Sequence, residues 1–292
     1  MKAIATLPPL IILDPLLRDW LAEDIGRGDR TTQGVLQENI GIGKAHWVAK
    51  EDGVIAGLLV ATRVFHLLSD RVNCSLLVKE GDFCESGQVV AHFHGPLDAL
   101  LIGERVALNL AMRLSGIATL TRQYAEAIAD LPTQLVDTRK TTPGLRLLEK
   151  YATQVGGAVN HRMGLDDAGM IKDNHIAAAG GIENAIARLR QTIPYPLTIE
   201  VETSNITEVE TALKEGADII MLDNMSLNEM RTAVKRIRQE SDRIKIEASG
   251  NITLENIRQV AETGVDYIST SAPITRSHWL DLSMKMVDEK TY

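Results

Sequence analysis

The apolar and polar residues in the first third of the chain are arranged as expected for a small domain with an antiparallel sheet. Residues 14–24 have the spacing of a helix, and three later segments have the composition of β-strands: GKAHWVAK, CSLLVKEGD and GQVVAHFHG. Gly-Asp and Ser-Gly pairs lie between these segments, and such pairs are typical of turns. The pattern predicts an α+β arrangement for this part of the chain.

A helical pattern follows from Leu97 to Asp130, where apolar residues recur every three or four positions. Gly103 and the pair Ser115-Gly116 interrupt it, and glycine lowers helix propensity. We therefore expect several shorter helices here, forming a hinge between two domains.

Beyond Asp130, short apolar runs alternate with helical patterns, as in βα units that build a parallel sheet. Asn205 and Thr253 stand after two of these runs and are candidate N-caps of the helices that follow. The candidate strands are TQLVD, AGMIKD, LTIEVE, ADIIMLD, IKIEAS and VDYIST.

Polar side chains stand at or just beyond the C-terminal end of each candidate strand. In a parallel α/β barrel these strand ends meet at one face, where active sites are found. A doubly wound sheet would also leave some polar residues at its strand ends, so the pattern favours a site without proving one. The positions are 137–140, 172–175, 200 and 202, 223–224, 247–251 and 269–271.

Composition and charge restrict the classes of function. The chain has 292 residues, 45% hydrophobic and 24% charged, which suits a globular protein of one large or two ordinary domains. A formal net charge of -8 and a pI near 5.4 argue against a nucleic-acid surface. No apolar segment approaches the roughly 20 residues that span a bilayer, so we expect no membrane partner.

The N-terminal segment has an apolar run, but Pro8, Pro9 and Asp14 interrupt it and no small-residue cleavage site follows. We therefore expect mature sequence. Cys74 and Cys84 form no CxxC pair, which argues against a zinc site or a disulfide and favours a reducing compartment. Together these features predict a cytoplasmic protein.

Cations are concentrated between residues 139 and 175, a segment of net charge +2 in a chain whose remainder carries -10. Arg139 and Arg162 suit a planar carboxylate, which each can bind through two parallel hydrogen bonds. Lys140 and Lys172 suit phosphate oxygens as compact charges. The sequence thus indicates a small anionic ligand at these strand ends.

Other residues of this segment leave alternatives open. Arg146 and Lys150 fall on a predicted helix, where local ion pairs on the surface explain them as well as a site does. His161 precedes Arg162 in a glycine-bordered stretch and could donate to an anion or move a proton, but a structural role is as plausible. His161 and His175 lack the spacing of zinc ligands.

Carboxylates end two neighbouring candidate strands. Glu200 and Glu202 share one face of their strand because side chains alternate, and the pattern does not tell which of them serves a site. With Asp223 on the next strand, they could seat Mg²⁺ carrying a phosphate-rich ligand. A buried structural ion pair is the alternative.

A phosphate site is predicted at the late strands. Ser249-Gly250-Asn251 would bring backbone N–H groups to a helix start near Thr253, and barrels often bind phosphate at the loops after their last strands. An ordinary tight turn would explain Gly250 equally well.

Several motifs, in this order and spacing, resemble the quinolinate phosphoribosyltransferase family: DTRKTTPGLR, KYATQVGGAVNHRMGLDDAGMIKDNHI, IEVE, IIMLDN and EASGNIT. The resemblance extends to EDIGRGDRTT and GERVALNLAMRLSGIATLT and so covers nearly the whole chain. It implies an N-terminal α/β sandwich domain at 1–114, with the tail 277–292 packing back on it, and an incomplete TIM-like α/β barrel, the phosphoribosyltransferase domain, at 115–276. It also implies a homodimer, or a higher assembly of it, in which Arg105 reaches the partner's barrel.

The resemblance implies a reaction as well. The phosphoribosyl group of phosphoribosyl pyrophosphate would be transferred to quinolinate with decarboxylation, giving nicotinate mononucleotide, pyrophosphate and CO₂ in de novo NAD biosynthesis. Mg²⁺ is the implied cofactor. Two alternatives are an enzyme for nicotinate or another base on the same scaffold, and a non-catalytic sensor of phosphorylated metabolites.

Carried over residue by residue, the resemblance assigns the implied catalytic residues Lys140, Lys172, Glu202 and Asp223. The two lysines would face the pyrophosphate, and the two acids would hold the ribose hydroxyls and magnesium. The carboxylates of quinolinate would be held by Arg105, Arg139, His161, Arg162 and Lys172.

The 5′-phosphate would contact Ser249, Gly250, Asn251 and Ser271. Asn251 and Ser271 depart from the family pattern, which commonly has glycine at both positions. The departure leaves the detail of phosphate contact open.

Overall fold

The computed structural model describes residues 5–37 and 40–287, so the last part of the predicted tail, 288–292, lies outside the described residues. The chain forms two compact units. The first unit comprises Met1–Leu120, Leu147–Gly156 and Ser277–Tyr292, and the second comprises Thr121–Arg146 and Gly157–Arg276.

In chain order the described elements are α1 (Leu10–Ile25), α2 (Arg30–Leu36), β1 (Ile42–Ala49), β2 (Gly53–Val54), α3 (Leu58–Leu68), β3 (Asn73–Leu76), β4 (Phe83–Cys84), β5 (Val89–Pro96), α4 (Leu97–Glu126), β6 (Gln134–Val136), α5 (Arg146–Gly156), β7 (Gly169–Ile171), α6 (Asp173–Ala179), α7 (Ile182–Thr192), β8 (Ile199–Thr203), α8 (Ile206–Lys214), β9 (Ile219–Asp223), α9 (Leu227–Glu240), β10 (Lys245–Ser249), α10 (Ile257–Ala261), β11 (Tyr267–Ser269), α11 (Ala272–Thr275) and β12 (Leu282–Val287).

The first unit contains an antiparallel sheet with strand order β12-β1-β5-β3, which confirms the predicted α+β character. Alternation of side chains puts Trp47 and Phe93 on its buried face, where they meet Phe65 of α3. The ring centroids of Phe65 and Phe93 are 4.9 Å apart, and those of Trp47 and Phe93 are 5.2 Å apart. These aromatic contacts form the centre of this unit's core.

The predicted division of residues 97–130 into short helices is wrong, because α4 is continuous through Gly103 and Gly116. A Cβ atom at Gly103 would lie 2.8 Å from Cδ1 of Phe65, and one at Gly116 would lie 1.8 Å from the carbonyl oxygen of His278. Both glycines therefore allow close packing of neighbouring segments and do not break the helix. The predicted domain boundary at 114–115 falls inside this helix.

Replacing Gly116 with alanine is expected to lower the free energy of unfolding by about 1–3 kcal/mol, since the added methyl overlaps backbone that cannot easily move. Gly34 is a matched control in α2, where a Cβ atom would meet nothing within 4 Å. There, alanine should stabilise the protein by about 0.5–1 kcal/mol. Urea unfolding of both variants measures the difference, and an equal loss at the two sites would contradict the packing role of Gly116.

The second unit is built on a parallel sheet with strand order β6-β11-β10-β9-β8-β7, and its strands are the six that the sequence predicted. Strands β7 to β11 lie side by side in chain order, and β6 lies beyond β11. The strand order therefore never reverses, as in a barrel and unlike a doubly wound sheet. Among the described strands β6 and β7 are the edges, so the barrel is incomplete. This confirms the predicted fold class.

Local sequence explains how the barrel helices begin. The side chain of Asn205 accepts a hydrogen bond of 3.0 Å from the N–H of Glu208 and caps α8, as predicted. Thr253 does not cap a helix, because α10 begins only at Ile257.

Among the described residues, no helix combines the length and the apolar character required to cross a bilayer.

Candidate active site

A cavity of about 710 Å³ opens at the carboxyl ends of the parallel strands, and every residue that lines it belongs to the second unit. This volume is in the range of small-molecule sites. Of the residues predicted from the sequence, the cavity is lined by Arg139, Lys140, His161, Arg162, Lys172, Glu202, Asp223, Ser249, Gly250, Asn251 and Ser271. Arg105 does not line it; this residue is exposed on α4, in the first unit.

Arg139 and Arg162 bring two cations to the cavity, and Arg139 has unmet bonding capacity. Nε of Arg139 is buried and has no hydrogen-bond partner among the described residues. Burial, and then the proximity of Arg139, lower the pKa of Arg162. Leaving a buried N–H unpaired costs about 1–3 kcal/mol, so an acceptor from a ligand would be stabilised here.

The two lysines differ in their surroundings. Nζ of Lys172 lies 2.9 Å from Oε2 of Glu202, so this cation is paired in the structure. Lys140 is exposed on the turn after β6, and its ammonium is paired with none of the acids that the structure describes. Lys140 is therefore available to a ligand without breaking an ion pair.

Glu200 and Glu202 share a face of β8 but occupy different depths. Glu202 lines the cavity, whereas Glu200 is only 1% exposed and lies 3.1 Å from Nε2 of His161. Glu247, 3% exposed, lies 3.5 Å from the same nitrogen. The structure thus distinguishes the two acids that the sequence left ambiguous. Glu202 faces the cavity, and Glu200 lies deeper, against His161.

His161 is held by protein groups at both ring nitrogens. Its Nδ1 accepts a hydrogen bond of 2.8 Å from the N–H of Arg162, while Nε2 faces Glu200 and Glu247. Burial lowers the pKa of His161, but the hydrogen bonds to Glu200 and Glu247 outweigh it and raise the pKa to about 10. The bond from the Arg162 N–H requires an unprotonated Nδ1, so with this bond in place the ring is neutral and carries its proton on Nε2, and gaining the second proton would break the bond.

The same cluster brings together ligand atoms that could hold a metal ion, within 4.8 Å of one another. A metal on Nε2, however, would leave the ring's proton on Nδ1, directly against the N–H of Arg162. Burial raises the pKa of Glu200, as expected for two close carboxylates away from water. The cluster fits a hydrogen-bonded support of the arginines better than it fits a metal centre.

The backbone that carries His161 and Arg162 is fixed by Asp137 at the end of β6. Its carboxylate accepts hydrogen bonds from Nδ2 of Asn160 at 2.7 Å and from the N–H of His161 at 2.8 Å. Arg162 itself donates to the carbonyl oxygen of Ala168 at 3.0 Å. These hydrogen bonds therefore hold the guanidinium of Arg162 in a defined position, although its segment has no regular secondary structure.

The surface interpretation of Arg146 and Lys150 is wrong. Lys150 is completely buried. Arg146 donates to the hydroxyl of Thr141 and to the carbonyl oxygen of Met163, at 3.1 Å each, and so ties the turn after β6 to the segment that carries Arg162. Neither residue forms an exposed ion pair on the helix.

Glu202 and Asp223 end adjacent parallel strands and face the cavity together. Met221 lies opposite Glu202 in the sheet, and Asp223 follows two residues later on the same face. Two carboxylates beside a cavity rich in cations suit Mg²⁺, which takes one or two protein carboxylates and completes its shell with water and phosphate oxygens. The donor set therefore fits the predicted cofactor.

The predicted phosphate loop turns sharply after β10. Gly250 has φ +97° and Asn251 has φ +52°, both in the left-handed region. The helix that follows begins only at Ile257 and has five residues, so the loop's own N–H groups, rather than a helix terminus, are the donors available to a phosphate. Ser271 reaches the same cavity from the end of β11.

Two further lining residues, Thr138 and Glu247, fall within the predicted strand-end segments but were given no role of their own. Glu247 could have been assigned one, because it stands two positions before Ser249 on β10 and so faces the same side. Sequence reasoning missed Arg276, which lies in a connection whose course only the folded chain defines.

Two family models match the chain: the quinolinate phosphoribosyl transferase N-terminal domain over residues 29–115 and the C-terminal domain of the same family over residues 117–285. The chain belongs to the quinolinate phosphoribosyltransferase family. This confirms the resemblance seen in the motifs. The division between the two family models falls within α4.

Relatives in this family match over almost their whole length. A probable nicotinate-nucleotide pyrophosphorylase [carboxylating] from Synechocystis sp. is 63% identical, over 96% of this chain and 95% of that protein. A protein of the same description from Bacillus subtilis is 46% identical, over 93% and 92%. The crystal structure of NadC from Streptococcus pyogenes superposes with a TM-score of 0.91 at 42% identity and covers 97% of this chain and 100% of that one.

Proposed function

We infer that the protein is a carboxylating nicotinate-nucleotide pyrophosphorylase. It transfers the phosphoribosyl group of phosphoribosyl pyrophosphate to quinolinate and releases pyrophosphate and CO₂, forming nicotinate mononucleotide for NAD biosynthesis. The observation that carries this inference is one cavity in which two half-buried arginines, one with a buried Nε that lacks a partner among the described residues, lie beside two carboxylates and a glycine-containing loop. These groups match a pyridine dicarboxylate, a ribose and a phosphate.

Quinolinate is held by cations. Arg139 and Arg162 bind its carboxylates through paired hydrogen bonds, and Lys172 adds a third cation once its bond to Glu202 is exchanged. His161 acts mainly through Arg162, since both of its ring nitrogens face protein groups. Arg105 completes the set from the partner subunit of a homodimer.

Phosphoribosyl pyrophosphate occupies the rest of the cavity. Its pyrophosphate lies against Lys140 and Lys172, and its ribose hydroxyls against Glu202 and Asp223. The loop N–H groups and hydroxyls that receive the 5′-phosphate belong to Ser249, Gly250, Asn251 and Ser271. Glu202 and Asp223 would hold Mg²⁺, largely through substrate and water, and the ion would supply neutralisation of the charge on the departing pyrophosphate.

The reaction follows from these positions. The pyridine nitrogen forms a bond to the anomeric carbon as the bond to pyrophosphate breaks, and Lys140 stabilises the negative charge that develops on the leaving oxygen. The resulting pyridinium accepts the electron pair of the bond to the C2 carboxylate when CO₂ departs. A proton then takes the place of CO₂ at C2.

The decisive test is release of labelled CO₂ from carboxyl-labelled quinolinate by the purified protein. Release should require both phosphoribosyl pyrophosphate and Mg²⁺, and nicotinate should not replace quinolinate. Turnover of nicotinate would indicate another base on this scaffold. Tight binding without turnover would indicate a sensor of phosphorylated metabolites.

The assembly and location of the protein are parts of the same proposal. A homodimer would place Arg105 of one protomer at the cavity of the other, so a mixture of an Arg105→Ala variant and a Lys140→Ala variant should regain part of the activity through mixed dimers. The substrates are soluble metabolites, which suits the cytoplasm.

A further inference from the structure

A chain of three side chains joins the ribose end of the cavity to its phosphate loop. Nδ2 of Asn224 donates to Oδ2 of Asp223 at 2.7 Å, and Oδ1 of Asn224 accepts from Nδ2 of Asn251 at 3.0 Å. The backbone N–H of Asn224 also donates to the carbonyl oxygen of Ser249 at 3.0 Å. The loops after β9 and β10 are therefore bonded to each other through both side chain and backbone.

Hydrogen bonding determines the orientation of the side-chain amides of Asn224 and Asn251. An ionised carboxylate only accepts hydrogen bonds, so Asn224 must turn its NH₂ group toward Asp223. Its oxygen then faces Asn251, which must present its own NH₂ group. Reversing either amide would place two acceptors or two donors against each other, so the chain has one satisfied arrangement.

Both asparagines adopt a backbone conformation that side chains disfavour. Among the described residues, only Gln37, Asn224 and Asn251 combine a side chain with a positive φ, and the two asparagines have φ +53° and +52°. Asparagine tolerates this region better than most residues because its short amide can bond locally. Two of the three such positions thus lie at one cavity and bond to each other.

Gly250 fits between these two loops because it has no side chain. A Cβ atom there would lie 2.2 Å from Oδ1 of Asn224 and 2.9 Å from its backbone nitrogen. On the other side of the loop, Nδ2 of Asn256 donates to the carbonyl oxygen of Asn251 at 2.9 Å. The phosphate loop is consequently held from two directions.

We propose that Asn224 and Asn251 are positioning residues that fix Asp223 and the loop Ser249–Gly250–Asn251 as one unit for recognition of a 5-phosphorylated sugar. The proposal rests on the proposed function, which puts the ribose and its 5′-phosphate at these groups. Asp223 and the loop are at opposite ends of one phosphorylated ribose, so their separation must match the length of that ligand. The asparagine pair sets this separation and leaves the arginines that hold quinolinate untouched.

The test compares glycine variants, because glycine removes the amide without adding strain at a positive φ. Asn224→Gly should raise the KM for phosphoribosyl pyrophosphate about tenfold and Asn251→Gly about threefold, as expected for the loss of hydrogen bonds to a charged and a neutral partner. The KM for quinolinate should stay within about twofold of wild type in both variants, because the hydrogen bonds that are lost do not involve Arg139 or Arg162. A general loss of structure would move both KM values.

The double variant tests whether the two residues act together. If they share one hydrogen bond, Asn224→Gly with Asn251→Gly should be no worse than Asn224→Gly alone, a non-additive result. Asn251→Asp should be worse than Asn251→Gly, since its carboxylate would face Oδ1 of Asn224. Gln37→Gly is the control for a positive φ outside the cavity and should leave both KM values unchanged.

Equal increases of both KM values, additive effects in the double variant, or no change in the KM for phosphoribosyl pyrophosphate would each overturn the positioning role. These outcomes are separate from failure of the proposed function, in which the wild-type protein itself would not release CO₂ from quinolinate. Titration of each folded variant with phosphoribosyl pyrophosphate alone gives a second readout. Its dissociation constant should rise in parallel with the KM.

Discussion

Replacing Lys140 with alanine is expected to lower kcat by about 10²–10³-fold, the usual effect of removing one group that stabilises charge in a transition state. The KM for quinolinate should change little, because in the proposed reaction the lysine faces the departing pyrophosphate. Lys140 is exposed and paired with none of the described acids, so its loss should leave the fold intact. Steady-state kinetics of CO₂ release would measure the effect.

Lys235→Ala provides the matched control for this variant. Lys235 is an exposed lysine on α9 and does not line the cavity. Its removal makes the same change in net charge without touching the site. If the two variants lost activity equally, Lys140 would act only through the overall charge of the protein, and its assignment to the leaving group would be wrong.

Replacing Arg139 with alanine is expected to lower kcat/KM for quinolinate by about 10- to 100-fold, since a hydrogen bond to a charged group contributes about 1.5–3 kcal/mol. Arg139→Lys should recover part of this loss at most, because an ammonium keeps the charge but cannot form the paired contact of a guanidinium. The physical basis of the prediction is the buried Nε, which has no partner among the residues that the structure describes.

Arg188→Ala is the corresponding control, on the exposed side of α7. Such a surface change should alter the free energy of unfolding by no more than about 0.5 kcal/mol and leave turnover unchanged. Losses of similar size at Arg139 and Arg188 would show that the cavity is not where quinolinate binds.

The parallel strands and their polar ends could be predicted from the sequence because the signals are local. Strand β9 is buried on both faces of the sheet, with Ile220 and Leu222 on one face and Met221 on the other, which gives a short, continuous apolar run. The first polar residue after each run then marks the open end of the barrel. The predicted lining residues of the second unit reach one cavity for this reason.

Errors arose where distant residues decide the outcome. Gly116 looks like a helix break until His278, far along the chain, is seen against it. The roles of Glu200 and His161 depend in the same way on Glu247, which a different strand supplies. Arg105 was assigned by resemblance alone, and no spacing within one chain could place it at a cavity of a second chain.

The first sheet has a consequence for how the protein is made. Its strand β1, near the beginning of the chain, pairs along residues 44–49 with β12, at residues 282–287. During synthesis, the N-terminal strands emerge from the ribosome long before this partner exists, and the edge of β1 stays open while the entire barrel is translated. The first part of the protein to be synthesised is therefore among the last to complete its fold.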